Sequence, residues 1–513
     1  MKKNNLFKAI GIVILAYVLI SWIVPIIYSI TGTEADVSYQ IGIIPIFSVI
    51  LETFSGFGTV VLFVLLVGAF YGVLKATGAY DKMMDFLTTK ASGKEKAWLV
   101  TIIILMAVIS SVSGLDLGLL IVFPLIISLI VRIGYDKLVA LSATVGAVIM
   151  GMYGATFAGT LYGLNNSVLG LETFDKIWVK VLFLVLGVAA LIVFTLMYAK
   201  KNKLGVKAKA SVKSSKSKAV KADSKKDKVV KTKKGSKEKT KTKKERGFLP
   251  AIIVMGVLLV VIFLGTTHWE GIFGSNWFST AHEAWIGLTV GDFDILNKLF
   301  GGIEALGTWN SPLRFQTYSI LLVIAMVVLA IIYRTSPKDS FEGFVDGIKS
   351  FVVPTIVTIL ACSVFVFVYY YPVLTPITSL LLEATDSFNV ALSGIYTIIN
   401  SLFYVDYYYL AYSVLYTVTT IYDDTAILSI ISVMFTNLYS LVMLIAPTSV
   451  LLLVSLAISD TNYTTWVKYI WKLALVLLVI SFAIIMIMFG SIAIGIISLI
   501  IAIGLFVILN VLK

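Results

Sequence analysis

Two aspartates lie inside long apolar stretches of the chain, where an unpaired charge is costly. Asp116 lies in the stretch 97–131, and Asp406 lies in the stretch 395–418. A charged side chain at the midplane of a bilayer costs about 2.5–3.5 kcal/mol on insertion scales, so it normally serves a site or a partner. We therefore predict that both aspartates bind a coupling cation or the amine of a substrate. The alternative is that they cap half-helices or face water at shallow breaks.

Small and hydroxyl-bearing residues break the apolar helices at four places. Two breaks, 111–116 and 404–408, are the tips of predicted hairpins, and two more interrupt predicted spans at 156–160 and 446–449. Broken helices survive in hydrocarbon only where they line a cavity, because every backbone amide must be paired inside the protein. Amino ends of half-helices attract carboxylates, while freed carbonyls and hydroxyls coordinate sodium or cationic groups.

The breaks supply the candidate residues for binding a substrate or ion. They are Ser111, Ser113, Gly114, Asp116, Thr156, Gly159, Thr160, Asp406, Tyr407, Pro447, Thr448 and Ser449. Among them, Ser113, Asp116 and Thr448 could hold Na⁺, and H⁺ is the other candidate coupling ion. No other cofactor is expected. Because the four breaks contain no Arg or Lys, the predicted site is acidic and rich in hydroxyls.

A weak internal repeat relates the elements that carry these breaks. The segment 133–180 reappears in register at 421–468, 288 positions later. The matched pairs are Asp136 with Asp424, Ala158 with Ala446, Thr160 with Thr448, Glu172 with Asp460, Trp178 with Trp466 and Lys180 with Lys468. Two halves that enter the bilayer from opposite sides can build alternating access around a midplane site. Chance similarity between apolar helices is the alternative interpretation.

The composition indicates a membrane protein. The 513 residues are 59% hydrophobic and 13% charged, whereas soluble domains have about a quarter of their residues charged. Many apolar runs exceed the roughly 20 residues that cross a bilayer. We predict an all-α polytopic protein with about ten transmembrane helices and two re-entrant hairpins in inverted-topology repeats. Two tightly looped full spans are the alternative for the first hairpin.

The distribution of lysines sets the predicted topology in the plasma membrane, with both termini cytoplasmic. Residues 200–246 contain 20 Lys and one Arg against four acids, a net charge of 21 − 4 = +17 that exceeds the +13 of the whole chain. This segment is predicted to be a disordered linker, and its lack of aromatic residues argues against nucleic-acid binding. The predicted divisions are a first helix and outer loop (1–56), a first repeat with an inward-opening hairpin (57–199), a Lys-rich linker (200–248), two helices with a long outer loop (249–348), a second repeat with an outward-opening hairpin (349–488) and a last helix (489–513).

Several chemistries are disfavoured. The single cysteine, Cys362, excludes an intrachain disulfide, and His268 and His282 have no further ligands at zinc spacing. No phosphate-binding P-loop motif occurs, so ATP hydrolysis by this chain is not expected. The sequence contains neither an intramembrane histidine nor a nucleophile elbow, so a membrane-embedded enzyme is disfavoured.

Several motifs, in this order, resemble the YfcC-like branch of the C4-dicarboxylate anaerobic carrier family, within the ion transporter superfamily. They are Ser21–Pro25, Gly68–Leu74, Thr77–Ala79, Arg132–Asp136 and Ala446–Ser449. The resemblance implies inverted repeats with two hairpins, a homodimer, and a transport domain that moves as an elevator. Its members are linked to dicarboxylates and, in some bacteria, to arginine–ornithine exchange. Both tips differ from the family pattern, which has paired acids at the first and Ser and Gly at the second.

These observations together predict a secondary active transporter, either a symporter or an exchanger, for small organic solutes. Amino acids, including basic ones, are favoured over C4-dicarboxylates, because a dicarboxylate would prefer a cationic partner, although half-helix dipoles can take that role. The alternative function is a channel or the permease subunit of an ATP-driven complex.

Overall fold

The computed structural model describes residues 5–31, 40–202, 247–289, 293–374 and 387–510, together with positions 377, 381 and 385. The predicted Lys-rich linker falls almost entirely outside the described residues, as does most of the predicted first outer loop.

The described residues form helices joined by short connections. In the first half these are α1 (Leu6–Thr31), α2 (Ile43–Ala76), α3 (Ala79–Ala91), α4 (Glu95–Ser113), a 3₁₀ segment (Leu117–Val122), α5 (Phe123–Arg132), α6 (Lys137–Leu141), a π-helical turn (Ser142–Gly146), α7 (Ala147–Tyr153), a second π-helical turn (Gly159–Gly163), α8 (Leu164–Leu169) and α9 (Ile177–Lys201). After the linker come α10 (Leu249–Thr266), α11 (Trp269–Phe273), α12 (Trp277–Ile286), α13 (Ile295–Phe300), α14 (Arg314–Tyr333), α15 (Pro337–Tyr370), α16 (Val390–Phe403), α17 (Tyr407–Leu410), a third π-helical turn (Ala411–Leu415), α18 (Tyr416–Thr419), α19 (Thr425–Met443), α20 (Val450–Ile458), α21 (Tyr463–Met488) and α22 (Ile492–Asn510).

Ten helices of the described residues are long and apolar enough to cross a bilayer, which confirms the predicted all-α polytopic class. They are α1, α2, α4, α9, α10, α14, α15, α19, α21 and α22. Some of these ten helices are not the segments that the sequence predicted as spans. The helix α4, predicted as one arm of a hairpin, has 19 residues and is long enough to span, whereas the predicted span from Leu138 is split by a π-helical turn and ends at Tyr153.

Two 34-residue helices, α2 and α15, pack along each other, and α2 also packs against α14. The helix α2 begins at Ile43 rather than near Phe57, because Phe57 (φ −119°, ψ 15°) bends the helix without ending it. Glycines bring the two backbones together: a Cβ on Gly72 would lie 2.0 Å from the carbonyl oxygen of Gly343 and 2.7 Å from the amide nitrogen of Gly347. Small residues at a crossing allow this close approach.

Both predicted hairpins form helix–break–helix units. In the first, α4 ends at Gly114, whose φ of +75° favours glycine, and the chain continues into the 3₁₀ segment. In the second, α16 ends at Phe403, and Asp406 caps α17. The two interrupted spans break at 154–158 and 444–449, close to the predicted positions. Re-entry of either hairpin into a bilayer stays a prediction.

Candidate functional site

Each hairpin tip is joined to an interrupted span by a threonine. Thr160 Oγ1 donates to the Gly114 carbonyl oxygen at 3.1 Å, and Thr448 Oγ1 donates to the Leu402 carbonyl oxygen at 2.8 Å. The two donors are 448 − 160 = 288 positions apart, and the two acceptors are 402 − 114 = 288 apart. The same bond therefore recurs at the spacing of the sequence repeat, which favours true duplication over chance similarity.

The helix starts of the repeat also match. Asp136 accepts a hydrogen bond from Val139 N at 2.9 Å, and Asp424 accepts one from Ala426 N at 2.8 Å. A side-chain acceptor at this position satisfies one of the amides left unpaired at a helix start. Both aspartates therefore act as caps.

Hydroxyls in the first half hold the backbone of the tip. Ser111 Oγ donates to the Gly154 carbonyl oxygen at 2.7 Å, and Thr156 N donates to the Ser111 carbonyl oxygen at 3.0 Å. Ser113 Oγ donates to the Ile109 carbonyl oxygen at 2.6 Å. The bonds to Gly154 and Ser111 satisfy carbonyls at the breaks, and the bond of Ser113 lies within the last turn of α4. The predicted binding hydroxyls therefore stabilise the fold of the tip in this conformation.

Gly114 provides a test of the tip geometry. A Cβ there would lie 2.2 Å from Thr160 Oγ1, in a backbone conformation with φ of +75°. Gly114→Ala is expected to lower the free energy of unfolding by about 1–2 kcal/mol through the left-handed backbone and by a further 1–3 kcal/mol or so through the clash. Gly78→Ala is the matched control, because φ is +71° there and nothing lies within 4 Å of the added Cβ. Denaturation of both purified variants in detergent would measure the difference, and equal losses would contradict the tight contact.

An arginine that the sequence analysis missed lies between the two predicted aspartates. Arg314 Nη2 is 3.5 Å from Asp116 Oδ2 and 3.6 Å from Asp406 Oδ2. The arginine side chain is 3% exposed, while those of Asp116 and Asp406 are 28% and 18% exposed. Its Nη1 donates to the Ser311 carbonyl oxygen at 3.0 Å. One residue of α14 thus joins both hairpin tips.

The charges of this cluster are only partly balanced. Two carboxylates and one guanidinium give a net charge of −1 when all three are ionised. Charge-assisted hydrogen bonds between such groups are normally about 2.7–2.9 Å long, so contacts of 3.5 and 3.6 Å leave the carboxylates able to accept further partners. Asp406 Oδ1 also accepts from Tyr408 N at 2.8 Å, so this residue both caps a helix and faces a charged partner.

A small cavity of about 50 Å³ lies at this cluster. Its lining includes Asp116, Asp406, Ser449, Cys362, Tyr439 and Phe57. This volume holds a few water molecules, whereas sites for organic ligands commonly occupy about 300–1,000 Å³. A substrate would therefore require movement of the surrounding elements.

The remaining predicted residues contact other parts of the structure. Tyr407 Oη donates to Asn165 Oδ1 at 2.8 Å, which links the second tip to α8. Gly159 packs against His268, since a Cβ there would lie 2.9 Å from His268 Cβ. Pro447 lies in the second interrupted span, and Ser449 Oγ accepts from Leu452 N at 3.3 Å.

The three predicted Na⁺ ligands each bond to a different part of the structure. Ser113 and Thr448 donate their hydroxyl protons to the carbonyls of Ile109 and Leu402, while Asp116 pairs with Arg314. The hydroxyl lone pairs can still coordinate an ion. A Na⁺ site at these three residues stays a prediction.

The sequence does contain a signal for Arg314. In the stretch 268–315, predicted to lie outside the cell, the only basic residues apart from histidine are Lys298 and Arg314. Cationic residues are usually enriched on the inner side of a membrane, so an arginine at the outer end of an apolar span is unusual. Such a residue is expected to have a buried partner. The four breaks themselves contain no cation, as predicted from the sequence, and the cation beside the two aspartates comes from a helix outside those breaks.

A polytopic helical fold with paired helix breaks around a buried charge cluster is typical of a membrane transporter. The profile of the family described as DcuC, C4-dicarboxylate anaerobic carrier, matches residues 8–408. The chain belongs to this family.

Two further comparisons are weaker. An uncharacterized protein of Haemophilus influenzae is 25% identical over 144 residues, and this match spans 28% of each chain. The solved structure of the YdaH transporter of Alcanivorax borkumensis aligns over 95% of this chain and 97% of its own, with 13% identity and a TM-score of 0.38. Similarity at that level supports no further conclusion.

Proposed function

We propose that this protein is a secondary active transporter that binds an amino acid between Asp116, Asp406 and Arg314. The buried guanidinium that faces both carboxylates is the observation that supports this proposal. Such a cluster places both signs of charge, as an amino acid requires, at one small cavity that Asp116 and Asp406 line and behind which Arg314 is buried. The family supports a membrane transporter, whereas the secondary active mechanism and the substrate are the proposal.

The charge balance favours an amino acid over a dicarboxylate. A dicarboxylate would bring two negative charges to a site whose net charge is already −1. A zwitterion can pair its carboxylate with Arg314 and its ammonium with Asp116 or Asp406, and a basic amino acid would also neutralise the excess charge. A neutral amino acid would leave the net charge of −1, which a coupling Na⁺ or H⁺ could balance. C4-dicarboxylates remain the second candidate substrate because the family description names them.

The helix connections support an elevator mechanism. Asp116 and Asp406 lie in the hairpin tips, whereas Arg314 begins a different helix that packs against α2. Movement of the tips past α14 would separate the carboxylates from the guanidinium. In the loaded protein the substrate ammonium would then replace the guanidinium as the partner of the carboxylates, while the substrate carboxylate would give up its own pair with Arg314.

Uptake into proteoliposomes tests the substrate class. Vesicles with an imposed ion gradient and no ATP would be screened with labelled arginine, ornithine, aspartate and succinate. We expect saturable uptake of at least one amino acid. Transport of succinate alone would contradict the amino-acid proposal, a requirement for ATP would favour a permease subunit, and unitary electrical conductance would favour a channel.

Cys362 offers a second test, because the only cysteine of the chain lines the proposed site. A small thiol-reactive methanethiosulfonate is expected to label it slowly, and a transported substrate should slow the labelling several-fold. The control is Cys362→Ala combined with Ser92→Cys, which moves the single thiol to an exposed position. Its labelling should not respond to substrate. Equal labelling of Cys362 with and without a transported substrate would indicate that the substrate binds elsewhere.

The membrane placement stays part of the proposal. We infer a plasma-membrane homodimer with cytoplasmic termini and hairpins that enter from opposite faces. The lysine distribution supports the orientation, and the resemblance to the family supports the dimer. Single cysteines introduced at Gly114 and at Asp406 would be labelled from each side of the membrane. If both cysteines react only from the same side in every state of the transporter, the proposal of opposed hairpins is contradicted.

A further inference from the structure

A basic cavity lies away from the charge cluster, among the ends of α9, α21 and α22. Its volume is about 260 Å³, and its lining includes three lysines and three apolar residues, namely Lys201, Lys468, Lys472, Phe194, Met197 and Leu509. The lysines mark this end of the helices as the one that the positive-inside rule assigns to the cytoplasm. The cavity therefore combines cationic and apolar walls at the expected level of the lipid headgroups.

The lysines are arranged by helix geometry. Lys468 and Lys472 are one turn apart on α21, so their side chains lie on the same face. Lys472 Nζ donates to the Leu509 carbonyl oxygen at 2.8 Å, which ties α22 to the cavity. None of the ion pairs between described residues involves Lys468 or Lys472.

One acid also approaches this region. Asp136 accepts from Tyr198 Oη at 2.8 Å and, through its other oxygen, caps α6 at Val139 N. Both carboxylate oxygens are therefore engaged by protein donors, and Tyr198 is itself part of the cavity lining. The cavity keeps an excess of positive charge even with this carboxylate included, since Lys468 and Lys472 alone outnumber it.

We propose that this cavity binds the phosphate headgroup of an anionic phospholipid. Basic pockets between transmembrane helices on the cytoplasmic side are suited to anionic headgroups. Phe194, Met197 and Leu509 provide an apolar wall for the beginning of an acyl chain, which a soluble phosphate would leave unused. The chain that follows Lys201 is itself rich in lysine, so like charge disfavours its insertion here.

The bound lipid would join the two halves of the repeat. The helices α9 and α21 carry the matched residues Trp178 and Trp466 and so occupy equivalent places in the two halves. A headgroup held between their lysines would neutralise a repulsive cluster and stabilise the contact of α9 with α21. This inference concerns binding and stability, and it does not depend on the substrate proposed above.

The test uses the full-length protein purified in a neutral detergent. Phosphatidylglycerol, phosphatidylcholine and sn-glycerol 3-phosphate would be added separately, and thermal stability and lipid retention by native mass spectrometry would be measured. We expect stabilisation and retained lipid with phosphatidylglycerol only. In the double variant Lys468→Gln/Lys472→Gln, affinity for phosphatidylglycerol should fall roughly 30-fold, at about fivefold for each lysine.

The double variant Lys94→Gln/Lys96→Gln is the matched control for net charge, because it removes two lysines, both exposed, from the same predicted side. It should bind phosphatidylglycerol like the original protein. An equal loss in this control would mean that net charge alone attracts the lipid. No preference for phosphatidylglycerol, or equal stabilisation by sn-glycerol 3-phosphate, would overturn the proposal of a lipid site.

Discussion

Replacing Arg314 with glutamine is expected to reduce uptake below detection and to lower the free energy of unfolding by about 3–5 kcal/mol. The substitution removes the guanidinium that lies 3.5 Å from Asp116 and 3.6 Å from Asp406. The two negative charges are then no longer neutralised. A charge left uncompensated in a poorly hydrated site costs more than the pair itself contributed. Uptake in proteoliposomes and denaturation in detergent would measure the two effects.

Three companion variants separate the role of the charge from that of folding. Arg334→Gln removes an exposed arginine just beyond the opposite end of the same helix and should be silent in both measurements. Arg314→Lys keeps the charge but lacks the planar fork, so we expect stability close to the original with weak uptake. The triple variant Arg314→Gln/Asp116→Asn/Asp406→Asn should regain stability without uptake. Normal transport by Arg314→Gln would remove this residue from the site.

Neutralising either aspartate is expected to decrease the initial rate of uptake by roughly 30-fold or more, since losing one partner of a buried charge pair costs about 2–5 kcal/mol. In Asp116→Asn or Asp406→Asn, the second carboxylate still faces Arg314, so stability should fall much less than in Arg314→Gln. Initial rates, measured at equal amounts of inserted protein, would test both variants.

Asp81→Asn is the control for these two variants. Asp81 is 76% exposed and pairs with Arg132 at 3.6 Å, so its neutralisation should leave uptake unchanged. Exposed ion pairs typically contribute less than about 1 kcal/mol. Wild-type rates in both Asp116→Asn and Asp406→Asn would place the substrate site elsewhere.

The sequence was most informative about the features that the apolar interior of a bilayer requires, namely the spans and the breaks within them. Spans of about 20 apolar residues and breaks marked by Gly, Pro and Asp follow from the need to pair every backbone amide, so the positions of the four breaks could be predicted. The offset of 288 was visible in Asp136 and Asp424, and it recurs in the bonds of Thr160 and Thr448.

The charge balance of the site could not be obtained from the breaks alone. Arg314 is remote in sequence from Asp116 and Asp406, and only tertiary packing brings the three together. The roles of Ser111 and Thr156 were equally ambiguous, because a hydroxyl that binds an ion and one that binds a freed carbonyl look identical in sequence. The early start of α2 was missed because the change at Phe57 bends that helix without terminating it.

Arg314 has no duplicate in the repeat. It lies between the repeated segments 133–180 and 421–468, and position 314 − 288 = 26 holds Ile26. Two identical halves alone would give the two end orientations of a carrier equal free energy. A cation on one side alone removes that degeneracy, because it neutralises the tips in only one orientation. The unloaded protein is then expected to rest in that orientation. Substrate on the face to which this orientation opens should hasten the movement out of it, so that counterflow outpaces net accumulation.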